Sequence, residues 1–173
     1  MEQFLMKEGD KLESVHVAFL VNKGTKTEPD WLQISKTTEN TINCNAETED
    51  RKFIVDKTAT TVVKGYKPSI NNPLSCFKGS PDYEYFWPKF KKLPTGAEAN
   101  EDFLIVFLND ETEVKTGDDV SYKFGAWRSN ATVIYDNLSG TDGILTFNAN
   151  FNGGVEVGEV TISDGKPTYT KAA

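Results

Sequence analysis

The residues that could do chemistry in this 173-residue chain are few and dispersed. His16 is the only histidine, which removes paired-histidine metal sites and leaves one base for a Ser-His-Asp or Cys-His arrangement. It stands between Val15 and Val17 in a stretch of strand character, where an ordinary sheet hydrogen bond is the simpler reading. Cys44 and Cys76 are isolated thiols, read as reduced rather than bridged. Asn148, Asn150, Asn152, Gly153 and Glu159 match the spacing of an EF-hand calcium loop. Three neutral amides supply less charge than Ca²⁺ requires, and the flanks alternate like strands rather than helices. Asp110 with Glu111, and Asp118 with Asp119, are carboxylate pairs of the kind that act as acid and base, but they read as hairpin-turn residues. The chain has no phosphate-cradling or dinucleotide glycine motif and no Gly-x-Ser-x-Gly elbow. No catalytic residue, metal ligand or cofactor is therefore assigned, and an enzyme is the least favoured class.

The length fits one domain over residues 1–173, able to bury roughly two thirds of its unfolded surface. Hydrophobic residues make up 38% and charged residues 26%, which excludes wholesale disorder. The modest apolar share and the many polar β-formers suit a sheet that faces solvent or other subunits. Met1 to Lys11 has no basic end followed by an apolar run, so no export signal is expected, and the longest apolar stretch is far short of a membrane span. The sequons at Asn130 and Asn137 are then read as turns. A net charge of −7, with arginines only at Arg51 and Arg128, disfavours tight nucleic-acid binding.

Period-two alternation dominates. Strands are expected at Ser14–Val21, Trp31–Lys36, Lys52–Val63, Glu101–Leu108, Val120–Trp127, Thr132–Tyr135, Gly143–Phe151 and Val155–Ile162. The last two read as a hairpin across Asn152-Gly153-Gly154. Polar residues 37–51 form a long hairpin tip or loop, and residues 1–13 an unpatterned N-terminal arm. One helix is expected near Asp82–Lys91, with Ser80 as its cap and Pro81 in its first turn. Its stripe of Tyr83, Phe86, Trp87 and Phe90 packs on a sheet, and Pro88 makes it short, kinked or divided. The fold class is mainly β, a sandwich or strongly bent barrel with one flanking α-helix and a long extended hairpin.

Phe147–Phe151 (FNANF), Gly153-Gly154-Val155-Glu156-Val157-Gly158-Glu159-Val160-Thr161-Ile162, Asp164-Gly165 and Tyr169 together resemble the closing hairpin and last strand of phage major tail (tail tube) proteins. Trp31 opening a strand, Gly65-Tyr66 with Pro68-Ser69, and the aromatic helix before Phe103 agree in order. The resemblance extends to contractile-tail inner tubes and type VI secretion tubes. It implies a virion structural protein built in the host bacterial cytoplasm, whose hexameric rings stack around a lumen. The implied partners are copies of itself, a tape measure protein, a tail terminator and baseplate or tail-tip proteins, with double-stranded DNA passing unbound and no membrane. Flexible, contractile and bacteriocin-like tails differ in the sheath, a separate protein, so all three stay open.

Within that reading, alternation places Gln33, Ser35, Asp56, Thr58 and Thr60 toward the lumen and Leu32, Ile34, Phe53 and Val55 toward the core. The polar stretch with Thr37, Glu39, Glu47, Glu49, Asp50 and Arg51 would make the contact between rings, with the N-terminal arm as a second contact. The alternative class is a monomeric β-sandwich carbohydrate-binding module using Trp31, Trp127 and Tyr135 as stacking platforms.

Overall fold

A computed structural model describes residues 10–116, 119–163 and 165–173. Most of the expected N-terminal arm, Asp118 and Asp164 lie outside the described residues. The strands are β1 (Val17–Asn22), β2 (Trp31–Gln33), β3 (Thr41–Asn43), β4 (Ala46–Arg51), β5 (Thr60–Tyr66), β6 (Ser69–Ser75), β7 (Asn100–Thr116), β8 (Asp119–Ser139), β9 (Ile144–Phe151), β10 (Glu156–Ser163) and β11 (Lys166–Lys171). Helix α1 (Pro81–Lys92) joins β6 to β7 through a 3₁₀ turn at Gly96–Ala99. The protein is mainly β, as the alternation predicts.

Among the described residues, nine strands form one antiparallel sheet in the order β2-β1-β7-β8-β9-β6-β3, with β10 on β8 and β11 on β10. β4 and β5 form a separate two-stranded sheet. The unbroken apolar runs of β1 and β7 have a physical cause, because both strands are buried on both faces. Phe19, Val21, Phe103 and Ile105 enter the larger core, beside Leu74, Leu145, Phe147 and α1. Their neighbours Leu20, Leu104 and Val106 enter a second core with Phe124, Ala126 and Val160.

Two sequence expectations change here. Val120–Trp127 and Thr132–Tyr135 are parts of the single strand β8, because Arg128, Ser129 and Asn130 continue it instead of turning. Nor do β9 and β10 form a hairpin. Both run antiparallel to β8 along one edge, β9 on residues 131–139 and β10 on residues 123–128. Gly153 (φ 73°) and Gly154 (φ 86°) kink the path between them, a left-handed pair that side chains would strain. Ser129 Oγ donates to the Gly154 carbonyl at 2.7 Å and Asn152 N to the Asn130 carbonyl at 2.8 Å. The sheet thus bends along one seam, and the C-terminal hairpin is β10–β11.

Candidate functional site

The feature least accounted for by folding is the β4–β5 arm. Ala46 pairs with Tyr66, Arg51 pairs with Thr60, and a bulge lies at Glu47/Thr48. Almost every residue along it is exposed. Its internal ties are surface ones: Glu47–Lys67 and Glu49–Lys64 at 2.5 Å, and Thr61 Oγ1 donating to Asp50 at 2.7 Å. Exposed ion pairs contribute only about 0.2–1 kcal/mol each, and a lone two-stranded ribbon is marginal in water.

Residues 52–59 form the end of this arm. The Asp56 amide donates to the Phe53 carbonyl at 2.9 Å, and the Asp56 carboxylate accepts the Phe53 N–H at 3.1 Å. This turn holds Phe53, Ile54 and Val55 outward at 70%, 105% and 89% exposure.

Strand and tip are therefore displaced from their expected places. The polar run Glu47–Arg51 is strand, stabilised by cross-strand pairing with Thr60–Gly65, whereas Lys52–Ala59, read as strand from its β-branched and aromatic residues, is the turn. Phe53 and Val55, expected in the core, are exposed, while Ile34 is buried and Leu32 packs against the larger core. The lumen set is split. Gln33 ends β2 and Ser35 follows it, but Asp56 and Thr58 lie in the arm turn and Thr60 opens β5. Of the expected inter-ring residues, Glu47, Glu49, Asp50 and Arg51 lie on β4, whereas Thr37 and Glu39 precede β3 at the foot of the arm.

A second surface is distinguished by what it lacks. Along β3, β6, β9 and β8 the outward rows read Thr41-Asn71-Asn148-Ile134 and Asn43-Ser69-Asn150-Thr132. Neither row holds a charge. Two carboxylates border the first row: Asp136, at a bulge, accepts from Asn148 Nδ2, and Glu39 accepts from the Thr41 hydroxyl at 2.8 Å. The alternating residues Ile70, Leu74, Leu145, Phe147 and Ala149 point into the larger core.

The helix supports this sheet from the core side. Phe86 is fully buried and stacked on Phe147 at 4.6 Å, Phe90 meets Tyr135 at 5.7 Å, and Trp87 lies between Tyr83 and Phe90. Pro88 is accommodated inside one helix. Ser80 does not cap α1 by its side chain; its hydroxyl donates to the buried Asp82 carboxylate. Asp82 also accepts the backbone N–H groups of Lys36 at 2.8 Å, Tyr83 at 3.0 Å and Ser35 at 3.1 Å. Burial pushes its pKa up, but these hydrogen bonds outweigh burial and hold it below the ordinary aspartate value. Tyr85 donates to Glu101 at 2.7 Å and accepts from Lys89 at 2.7 Å, fixing the far face of α1. Burial followed by Glu101 drives the Tyr85 hydroxyl far above the usual tyrosine range.

At the mouth of the second core, Arg128 lies 5.4 Å from the Trp31 ring and 5.8 Å from Tyr169, borders a polar cleft of about 850 Å³, and donates twice to Asp102. Burial, then Glu156, raises the Tyr169 hydroxyl to about 12. The three rings of the carbohydrate reading are all engaged inward: Trp31 beneath Arg128, Trp127 against Phe107 at 5.1 Å, and Tyr135 against Phe147 and Phe90.

The chemically able residues do not converge. His16 Nδ1 accepts the Glu13 N–H at 3.0 Å, closing a turn before β1. Cys44 is exposed and Cys76 half-buried, both free thiols. Asn148 and Asn150 lie on β9, whereas Glu159 lies on β10 and pairs with Lys123 at 3.1 Å. The carboxylate of Asp110 lies over Gly125, where a Cβ would meet it at 2.1 Å. Among the described residues no helix is long and apolar enough to cross a membrane.

Asp82, Tyr85 and the Arg128 node escaped the sequence reading, because each works through partners distant in the chain. Only Asp82, next to Pro81 at a helix start, left a local sign of its role.

No protein-family model matches the sequence, and no curated protein matches it. Solved structures do. A chain from the tail of an empty gene transfer agent (GTA) particle, refined with C6 symmetry, superposes with a TM-score of 0.50 at 12% identity, covering 84% of this chain and 97% of that one. The chain shares the fold of that GTA tail chain. A chain of the anti-feeding prophage baseplate matches at a TM-score of 0.37 and 11% identity, over 82% of this chain and 89% of that one.

Proposed function

We propose that this chain is a structural tail subunit that polymerises with itself into stacked hexameric rings around a lumen through which DNA passes. The observation that carries the reading is the β4–β5 arm, a ribbon too weakly held to justify itself within one subunit, ending in three exposed apolar residues. An arm of this kind gains its stability by burial against another copy. The fold shared with a tail chain of a C6-symmetric particle supports a ring of six. The implied partners beyond self are the tape measure, terminator and baseplate proteins, with no enzymatic step.

The lining is assigned to the uncharged outer face of β3-β6-β9-β8, in place of the split set Gln33, Ser35, Asp56, Thr58 and Thr60. DNA carries about one negative charge per 1.7 Å of axis, and cationic linings hold it by counterion release. Amide and hydroxyl rows on a chain of net charge −7 hold no such counter-charge and let it slide.

The test is negative-stain electron microscopy of the purified protein, concentrated at moderate salt to screen its charge. Rings or hollow tubes of uniform width are expected. Dispersed particles that persist with tail-tip complex present and bind glycans on an array would replace this reading with the carbohydrate module.

A further inference from the structure

Opposite the apolar tip in character is a groove of about 430 Å³ built on Val17 and Phe19 of β1, Leu12, and Ile42 of β3. Among the described residues its lining carries two charges, both acidic, Glu13 and Glu39. The tip has the complementary pattern: Phe53, Ile54 and Val55 stand between Lys52 and Lys57, and the one acid among them, Asp56, is turned back onto the Phe53 N–H. Apolar surface faces apolar surface, and basic flanks face acidic walls.

A chain cannot fill its own groove with its own tip. The groove lies at the foot of the arm, because residues 37–42 lead into β3, and β3 pairs with β6, which directly follows β5. Six residues of paired strand place the turn about 20 Å from that foot at the usual rise of about 3.3 Å per residue. The occupant is therefore a second copy.

We propose that the tip Phe53-Ile54-Val55 of one subunit inserts into the Leu12/Val17/Phe19/Ile42 groove of the next, with Lys52 and Lys57 paired to Glu13 and Glu39. Tip and groove are different surfaces, so the contact is head-to-tail and propagates from copy to copy instead of closing as a two-fold dimer. The inference rests on the self-assembly reading above and names its contact. It also redistributes the expected inter-ring residues, since Glu39 becomes part of the receiving surface and the β4 residues become the stalk that delivers the tip.

The experiment mixes two full-length proteins, both carrying Cys44→Ser and Cys76→Ala. One bears Ile54→Cys in the tip and the other Thr38→Cys in the groove lining. Under mild oxidation the tip-to-groove disulfide is expected to dominate over tip-to-tip and groove-to-groove products. Adding Lys52→Glu and Lys57→Glu to the tip protein should cut that product about tenfold by placing like charges together. Adding Glu13→Lys and Glu39→Lys to the groove protein should restore it. Tip-to-tip products in excess, or a yield no higher than with an exposed control cysteine at Ser163, would overturn the contact. The two readings fail separately: hollow tubes without the tip-to-groove product remove this contact and leave the tube, whereas the product with only linear fibres or small oligomers keeps the contact and removes the tube.

Discussion

Arg128 and Asp102 face each other fork to fork, with Arg128 Nε donating to Oδ1 at 3.1 Å and Nη2 to Oδ2 at 2.7 Å. The pair joins neighbouring strands where β8 leaves one half of the sheet for the other. Arg128 also donates to the Lys26 carbonyl at 3.4 Å, and Asn22 Nδ2 donates to Asp102 Oδ2 at 3.1 Å, so the loop after β1 is tied to the same point. Both side chains are mostly shielded, at 19% and 24% exposure. Truncation should therefore cost more than loss of an open surface pair. Arg128→Ala is expected to lower unfolding stability by about 1.5–3 kcal/mol in urea titration. Arg128→Lys should recover less than half of that, since an ammonium cannot span both carboxylate oxygens. A full recovery by lysine would mean that charge alone, and not the fork, holds the seam.

Asp82 makes the protein acid-sensitive in a defined direction. Its folded pKa lies below that of the unfolded chain, so its contribution is fully present above the ordinary aspartate value of about 3.9 and is lost as pH falls through the folded value. Asp82→Asn should show a shallower loss of stability than the native protein below about pH 4. Asp82→Ala leaves the Ser35 and Lys36 amides without their acceptor and should cost about 3 kcal/mol at neutral pH. Parallel stability–pH curves for the native protein and Asp82→Asn would show that the carboxylate's charge contributes nothing.

The arm separates folding from assembly. Replacing Phe53-Ile54-Val55 by Ser-Gly-Ser removes no buried contact, so thermal unfolding of the free subunit should shift by no more than about 0.5 kcal/mol. Polymerisation, followed by light scattering, should disappear. A variant that still polymerises at the native rate would show that the tip is a solvated loop.

Where sequence periodicity matched burial, the fold was readable. Phe103–Leu108 read as strand because it is one, whereas of the stripe Tyr83, Phe86, Trp87 and Phe90 only Phe86 and Phe90 pack on Phe147 and Tyr135, with Tyr85 beside them at the core in place of Tyr83 and Trp87. The reading failed where tertiary or quaternary terms outweigh local ones. Lys52–Val55 has strand propensity but lies in a turn closed by Asp56, with its apolar residues exposed. Glu47–Arg51 has loop composition but pairs as strand. Gly153-Gly154 marks a sharp change of direction, yet composition alone does not separate a hairpin from a kink along one partner strand. Alternation marked β9 but not β6, which was not read as a strand, so the uncharged face became a surface only when register aligned Asn71 with Asn148 and Ser69 with Asn150.

That alignment gives the most direct test of the lining. Asn71 and Asn148 are cross-strand neighbours on the outward side of β6 and β9, so lysines there would leave the core untouched. Asn148→Lys removes one amide hydrogen bond to Asp136 and offers that carboxylate an ammonium instead, and Asn71→Lys adds a charge opposite Thr41, whose hydroxyl donates to Glu39. Tubes assembled from the double variant should keep the native width but acquire affinity for double-stranded DNA that falls as salt rises, the mark of counterion release. Native tubes should show none under the same conditions. Fluorescence anisotropy of a labelled duplex, read at two salt concentrations against sealed and open-ended tubes, distinguishes binding within the lumen from binding outside. Salt-sensitive binding that is equal for sealed and open tubes would put these rows on the outer surface and require another face for the lining.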